Sequence, residues 1–97
     1  MRVISAKLLR DYWAVHADVA DAFKAWYAEA EMAQWQSPED IKRAYPGASI
    51  LPGNRVIFNI KGNSYRLIVQ IHYNTKIVYI RFVGTHAEYD HIDAERI

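Results

Sequence analysis

The chain has 97 residues, with 12 lysines and arginines against 11 aspartates and glutamates and a formal net charge of +1. This is the length of one domain, residues 1–97, and an apolar fraction of 52% is enough to form a hydrophobic core. The absence of cysteine excludes disulfides and thiolate chemistry. No segment approaches the ~20 apolar residues of a membrane span, and the start lacks a signal-peptide pattern. We therefore expect a soluble, cytoplasmic protein without a membrane segment.

The first third of the chain predicts helices. A short strand at residues 2–4 is followed by a helix over residues 6–16, which Ser5 can cap. Asp18 is the expected cap of a second helix, which continues to about residue 35. The apolar positions of this helix recur with helical spacing and form one stripe that would pack on a sheet: Val19, Phe23, Trp26, Tyr27, Ala30 and Ala33.

A third helix and a loop connect this region to the C-terminal half. Ser37 followed by Pro38 is typical of a helix start, and this short helix is expected to end near residue 45. Residues 46–54 contain two prolines and two glycines, so they are predicted to form a loop.

The C-terminal half predicts three antiparallel strands at residues 55–60, 64–73 and 76–83, because β-branched and aromatic residues dominate them. Gly62-Asn63 suits a tight hairpin turn, and Asn74-Thr75 is a weaker candidate of the same length. Two-residue turns pair residues whose numbers add to 125 across the first hairpin and to 149 across the second. A short helix is expected after the last strand.

This register gives the predicted sheet one apolar and one polar face. The apolar face is the expected core and comprises Val56, Phe58, Ile60, Tyr65, Leu67, Val69, Ile71, Val78, Ile80 and Phe82. On the other face, Arg66 lies opposite Asn59 and Val83, and Arg81 lies opposite Ile68. The two guanidinium groups are then diagonal neighbours, and such cations repel each other unless an anion lies between them. The alternative is that both are solvated charges whose aliphatic stems cover the sheet.

The charge distribution favours a localised contact with a polyanion. Between Asp40 and Glu88 there is no carboxylate, whereas the same span has seven cations: Lys42, Arg43, Arg55, Lys61, Arg66, Lys76 and Arg81. A positive sheet beside acidic helices indicates a localised polyanion contact, not a coating of nucleic acid along the whole surface. The candidate residues for contacting this polyanion are Arg55, Asn59, Asn63, Lys76 and His91.

Two motifs relate the chain to a known family. Residues 56–66 read VIFNIKGNSYR, and residues 84–90 read GTHAEYD. Together, and over essentially the whole chain, they resemble the HigB family of bacterial type II toxin–antitoxin toxins, a branch of the RelE-like ribonucleases.

The resemblance implies a fold, an activity and a partner. The fold would be α+β and RelE-like, with an N-terminal strand and two helices packed on one face of a small antiparallel sheet and a short C-terminal helix. The activity would be cleavage of mRNA on translating ribosomes, without a cofactor. The partner would be a HigA-type antitoxin with a helix-turn-helix domain, in a hetero-oligomeric toxin–antitoxin complex.

The residues permit this chemistry. RNA cleavage without metal needs the 2′-hydroxyl deprotonated, the phosphate charge stabilised and the 5′-oxygen protonated. Lys61, Arg66 and Arg81 are the candidate cations, and His86 and Tyr89 the candidate acid–base pair, with their order left open. His91 is a substitute for either. Asp90 would share a helical face with His86.

Each candidate also has a structural interpretation. His86 could cap the last helix, Tyr89 could close the core, and His72 is expected to be an ordinary sheet residue. The acidic and histidine residues from His86 to Asp93 match no zinc signature and lie beside cations, so no metal is expected. The rival function is a non-catalytic RNA- or ribosome-binding domain, and a pure partner-binding module is a weaker one.

Overall fold

A computed structural model describes residues 1–62 and 64–97 and has the predicted α+β architecture. Its elements are β1 (Arg2–Ile4), α1 (Ala6–Val15), α2 (Ala17–Met32), α3 (Pro38–Ala44), β2 (Ser49–Leu51), β3 (Arg55–Ile60), β4 (Tyr65–His72), β5 (Ile77–Thr85) and α4 (His86–Tyr89). The sheet order is β1-β5-β4-β3-β2. β1 runs parallel to β5, and the other neighbours are antiparallel. No helix in the described parts of the chain is long and apolar enough to cross a membrane.

The helices are where predicted, but their caps differ. Ser5 has a left-handed backbone with φ 63° and makes no side-chain cap hydrogen bond. α2 begins at Ala17 after His16, so the prediction of an Asp18 cap is wrong. Asp18 instead accepts a hydrogen bond of 2.6 Å from the Tyr65 hydroxyl group, which draws its carboxylate towards the sheet. α2 ends at Met32, three residues earlier than expected, where the backbone becomes extended.

The predicted loop over residues 46–54 contains a strand. β2 pairs with β3 through Ser49 and Ile57, Ile50 and Val56, and Leu51 and Arg55. Gly53 and Asn54 both have positive φ and form the turn that reverses the chain. The sequence predicted a loop here because the first strand of this hairpin has only three residues and lies between two proline–glycine pairs.

The core lies between the sheet and α1, α2 and α3. The predicted stripe of α2 faces the sheet, with Val19, Phe23, Trp26 and Ala30 buried. The ring centroids of Trp26 and Phe58 are 5.4 Å apart, and Trp35 and Tyr45 pack on the same phenylalanine. Burial of this aromatic cluster anchors the helices on one side of the sheet.

The strand register is as predicted until a bulge in β5. The β3–β4 pairs include Arg55 with Gln70 and Ile60 with Tyr65, as expected. The β4–β5 pairs follow the prediction from His72 to Val69, but the register then shifts between Ile68 and Val69. The placement of Phe82 and Val83 is therefore corrected: Phe82 pairs with Ile68 on the side away from the helices, while Val83 is buried in the core.

Candidate active site

The sheet face opposite α1, α2 and α3, here called the open face, holds most of the candidate residues. It comprises Arg55, Ile57, Asn59, Arg66, Ile68, Gln70, His72, Ile77, Tyr79, Arg81 and Phe82. Within the described residues it contains no enclosed pocket, so a ligand would bind on a surface. Ile57, Ile68 and Phe82 cross the middle of this face and separate two polar ends. Ile57 and Ile68 are buried, so the middle of the face is covered and the accessible side chains lie at its two ends.

One end of the open face is bordered by α4, whose start is held by a capping box. The Thr85 hydroxyl accepts from the Glu88 backbone N–H at 3.1 Å, and the Thr85 N–H donates to the Glu88 carboxylate at 2.9 Å. The Tyr12 hydroxyl, from α1, donates to the same carboxylate at 3.3 Å. The Thr85 N–H, together with the two hydroxyl groups, lowers the pKa of Glu88. A helix of only four residues is thus fixed to two other elements.

Gly84 allows α4 to lie close to the sheet. A Cβ atom at this position would be 2.7 Å from Phe82 Cζ and 3.3 Å from Glu88 Cβ. Both distances are shorter than ordinary carbon contacts, so a side chain here would require Phe82 to move and Glu88 to shift by a few tenths of an ångström. Gly84 also pairs with Arg66, which places the start of α4 beside that arginine.

The α4 end brings together three of the predicted catalytic residues. The Arg66 guanidinium lies 5.7 Å from the centroid of the Tyr89 ring. The His86 and Tyr89 ring centroids are 6.3 Å apart. His86 Nδ1 lies 3.3 Å from Asp90 Oδ2, so these residues share a helical face as predicted. All four lie in an exposed or half-buried position that a ligand can reach.

Arg81 lies on the same face as Arg66 but at the other end. It is the extra residue at the bulge, and it donates to the Gln70 side-chain oxygen at 2.8 Å. Its guanidinium also lies 5.6 Å from the Tyr79 ring centroid. Gln70 is four residues from Arg66 along β4, a distance of about 13 Å. The predicted pairing of Arg81 with Ile68 is therefore wrong, because Phe82 takes that place and the bulge displaces Arg81 towards Gln70.

Two other predicted cations contact the helical layer. Lys61 donates to the Asp18 backbone oxygen at 2.8 Å, with the Asp18 carboxylate at 3.7 Å. Lys76 donates to the Trp35 backbone oxygen at 3.3 Å. The structure does not bring either ammonium group to Arg66.

The remaining predicted RNA-binding residues are dispersed. Asn59 lies beside Arg66 in the paired strand and donates to the Gly47 oxygen at 3.1 Å. Arg55 is at the far end of β3 and donates to the Ile97 backbone oxygen at 3.0 Å. His91 lies two residues after the end of α4 and is exposed. Asn63 lies outside the described residues.

Among the described residues, no group of three or more side chains could hold a metal ion. This applies also to the histidines and acids between His86 and Asp93. Asp90 contacts His86, Asp93 contacts Arg96, and Glu88 caps α4. These acids therefore have structural partners within the chain.

Sequence reasoning missed the residues that position α4. Thr85 and Glu88 have the spacing of a capping box, which was a readable signal. The contact of Tyr12 with Glu88 joins residues 76 positions apart and leaves no trace in local spacing.

Known proteins resemble this chain along most of its length. A family model described as HigB_toxin, RelE-like toxic component of a toxin-antitoxin system, matches residues 19–92. The mRNA interferase toxin HigB of Escherichia coli (strain K12) is 26% identical over 96 residues, which cover 97% of this chain and 92% of the relative. The mRNA interferases HigB of Escherichia coli O157:H7 and Shigella flexneri have the same identity and coverage.

Proposed function

The chain belongs to the HigB family of RelE-like toxins of toxin–antitoxin systems, and from this premise we propose that it is an endoribonuclease that cuts mRNA on the ribosome. The observation that carries the proposal is the group of Arg66, Tyr89 and His86 at the α4 end of the open face. The relatives named mRNA interferases support the same activity. Because its substrate would be translated mRNA, we place its action in the cytoplasm.

The proposed reaction uses the RNA itself as the nucleophile. A base removes the proton of the 2′-hydroxyl, the 2′-oxygen attacks the adjacent phosphorus, and an acid protonates the departing 5′-oxygen. The products are a 2′,3′-cyclic phosphate and a 5′-hydroxyl group. Atoms and protons balance without a metal or cofactor.

Arg66 is the proposed phosphate ligand. A guanidinium on a strand presents several fixed donors, and the charge that develops on the phosphate oxygens falls where these donors already lie. Its contact with the Tyr89 ring holds the two side chains together before RNA arrives. Asn59, in the neighbouring strand, is a further RNA contact.

His86 and Tyr89 are the proposed proton-transfer residues. Asp90 orients the His86 ring through Nδ1, which leaves Nε2 available to the substrate. For Tyr89, the Arg66 guanidinium lies 5.7 Å from the ring centroid, so a phosphate held by Arg66 would lie beside this side chain. Either order of base and acid fits this arrangement, and His91 is close enough in sequence to replace one of them.

The placement of the other predicted residues changes their proposed roles. Lys61 is inferred to hold α2 to the β3–β4 turn, since its ammonium group contacts Asp18. Arg81 is inferred to bind RNA away from the scissile phosphate. Arg55 and Lys76 contribute to the positive potential of the sheet.

An open surface also accounts for dependence on the ribosome. A site without a pocket can bind phosphates but does not by itself align a 2′-oxygen with the phosphorus. We propose that the ribosome holds the mRNA in that alignment. The antitoxin partner expected for a toxin of this family is proposed to be HigA-type, with a helix-turn-helix domain, in a hetero-oligomeric complex.

The test is inducible expression followed by mapping of transcript 5′ ends. We expect growth arrest and new 5′-hydroxyl ends with the parent chain, cleavage reduced about 10²–10³-fold by Arg66→Ala, and about 10²–10⁴-fold by His86→Ala or Tyr89→Phe. Arg10→Ala, which removes an exposed arginine of α1, is the matched control and should cleave like the parent. Growth arrest that persists without new RNA ends would instead favour the non-catalytic binding domain.

A further inference from the structure

The end of the open face opposite α4 carries an aromatic and cationic cluster that the proposed cleavage reaction does not use. The cluster, here called the Tyr79 platform, comprises His72, Tyr79 and Arg81. The His72 and Tyr79 ring centroids are 5.1 Å apart, and the Arg81 guanidinium lies 5.6 Å from the Tyr79 centroid. His72 and Arg81 are exposed, and Tyr79 is half-buried.

Hydrogen bonds fix the cation of this platform. Arg81 donates to the Gln70 side-chain oxygen at 2.8 Å, and the Gln70 amide nitrogen donates to the Gly53 backbone oxygen at 3.1 Å. The glutamine is therefore held at both ends between the platform and the β2–β3 turn. An arginine restrained in this way loses little side-chain freedom when it binds an anion.

The bulge in β5 separates the platform from the α4 end. Without the extra residue, Arg81 would lie near Arg66, as the regular register predicted. With it, Arg81 is directed to Gln70, and the pair of Ile68 and Phe82 lies between the two cations. Bulges are often found where a strand must redirect a side chain.

The surrounding charge favours an anionic ligand. None of the five strands, all of whose residues the structure describes, contains an aspartate or glutamate. Arg2 is exposed in β1 and pairs with Ile77, next to the His72 end of the platform. Guanidinium groups beside aromatic side chains are the combination that binds single-stranded nucleic acid, through phosphate contacts and base stacking.

We propose that the Tyr79 platform is a second RNA subsite, which holds a nucleotide of the same strand several positions from the scissile phosphate. The inference rests on the proposed function, because it assumes that the α4 end binds the RNA to be cut. The two ends are about 13 Å apart along β4. A strand stacked at ~3.4 Å per nucleotide would need roughly four nucleotides to span them, and an unstacked strand fewer.

Binding of single-stranded RNA tests the subsite. The protein carries His86→Ala and Tyr89→Phe so that cleavage does not interfere, and fluorescence anisotropy measures its affinity for an eight-nucleotide RNA. Tyr79→Ala should weaken binding about 5- to 150-fold, the range expected for loss of one stacked base. Tyr79→Phe keeps the ring and should bind like the background protein, and Arg10→Ala is the matched cationic control. Circular dichroism establishes that each variant is folded.

Arg81→Gln provides a second variant that does not depend on the ring. This substitution removes an exposed positive charge and should weaken RNA binding. The affinity of the variant should also fall less steeply with salt concentration than that of the background protein. The subsite is refuted if folded Tyr79→Ala and Arg81→Gln both bind the RNA within twofold of the background. Cleavage by the parent together with that result would leave the nuclease proposal intact. Platform-dependent binding by a parent chain that cuts no RNA would reject the nuclease and retain the RNA site.

Discussion

Gly84→Ala gives a direct test of how α4 is positioned. The new Cβ atom would lie 2.7 Å from Phe82 Cζ, about 1 Å inside the optimal carbon–carbon separation, and 3.3 Å from Glu88 Cβ. Overpacking of this kind typically costs about 1–3 kcal/mol. For a domain of this size, each kcal/mol lowers Tm by about 4–8 °C, so we expect a loss of at least about 4 °C.

Gly84→Ala should slow cleavage even at temperatures where the variant remains folded. Phe82 can move its ring aside, and the contact with Glu88 requires that residue to move by a few tenths of an ångström, which would displace the start of α4. At a temperature where the variant is folded, we therefore expect slower mRNA cleavage in a translating extract. Phe82→Leu removes the closer contact, so Gly84→Ala should cost less free energy of unfolding in that background.

Gly47→Ala is the matched control, because a Cβ atom there would meet Asn59 Nδ2 at an ordinary 3.6 Å. Thermal melts followed by circular dichroism and cleavage of a reporter mRNA are the measurements. If Gly84→Ala melts and cleaves like the parent, the close approach of α4 to the sheet does not position the site, and the reasoning is refuted.

Three further predictions concern the supports of the site. Thr85→Ala removes the α4 cap and should cost about 0.5–2 kcal/mol in thermal unfolding, whereas Thr85→Ser should retain most of it. The Tyr65 hydroxyl lowers the pKa of Asp18, so that carboxylate stabilises the fold above its ordinary pKa of 3.8; the difference in Tm between the parent and Asp18→Asn should shrink as pH falls through and below that value. Lys61→Ala should leave cleavage within about threefold of the parent, and a loss like that of Arg66→Ala would restore Lys61 to the catalytic group.

The sequence predicted the fold and family because the signals were local. The hairpin register of β3 and β4 followed from the alternation of side chains and a turn at Gly62, and the α2 stripe followed from helical spacing. Both are confirmed, as is the RelE-like toxin family. The bulge in β5 was not readable, because Arg81 and Phe82 continue the alternating pattern that a regular strand would have.

The candidate site was predicted less completely, because some of its contacts join residues that are distant in the sequence. His86 and Asp90 are four residues apart on one short helix, so their contact could be foreseen. The contacts of Lys61 with Asp18 and of Tyr12 with Glu88 join distant parts of the chain and depend on how α1 and α2 pack. The catalytic roles assigned to His86, Tyr89 and Arg66 remain predictions for the variants above.

The lack of an enclosed pocket among the described residues has a consequence for how such an enzyme is silenced. Drug-sized molecules depend on being surrounded on most sides, and the described residues offer no such hollow. A competitor must therefore be broad, and a macromolecule laid across both α4 and Tyr79 would block entry without reaching into anything. Inhibition by covering a broad area, as a protein partner can do, therefore suits this site better than insertion of a compact molecule.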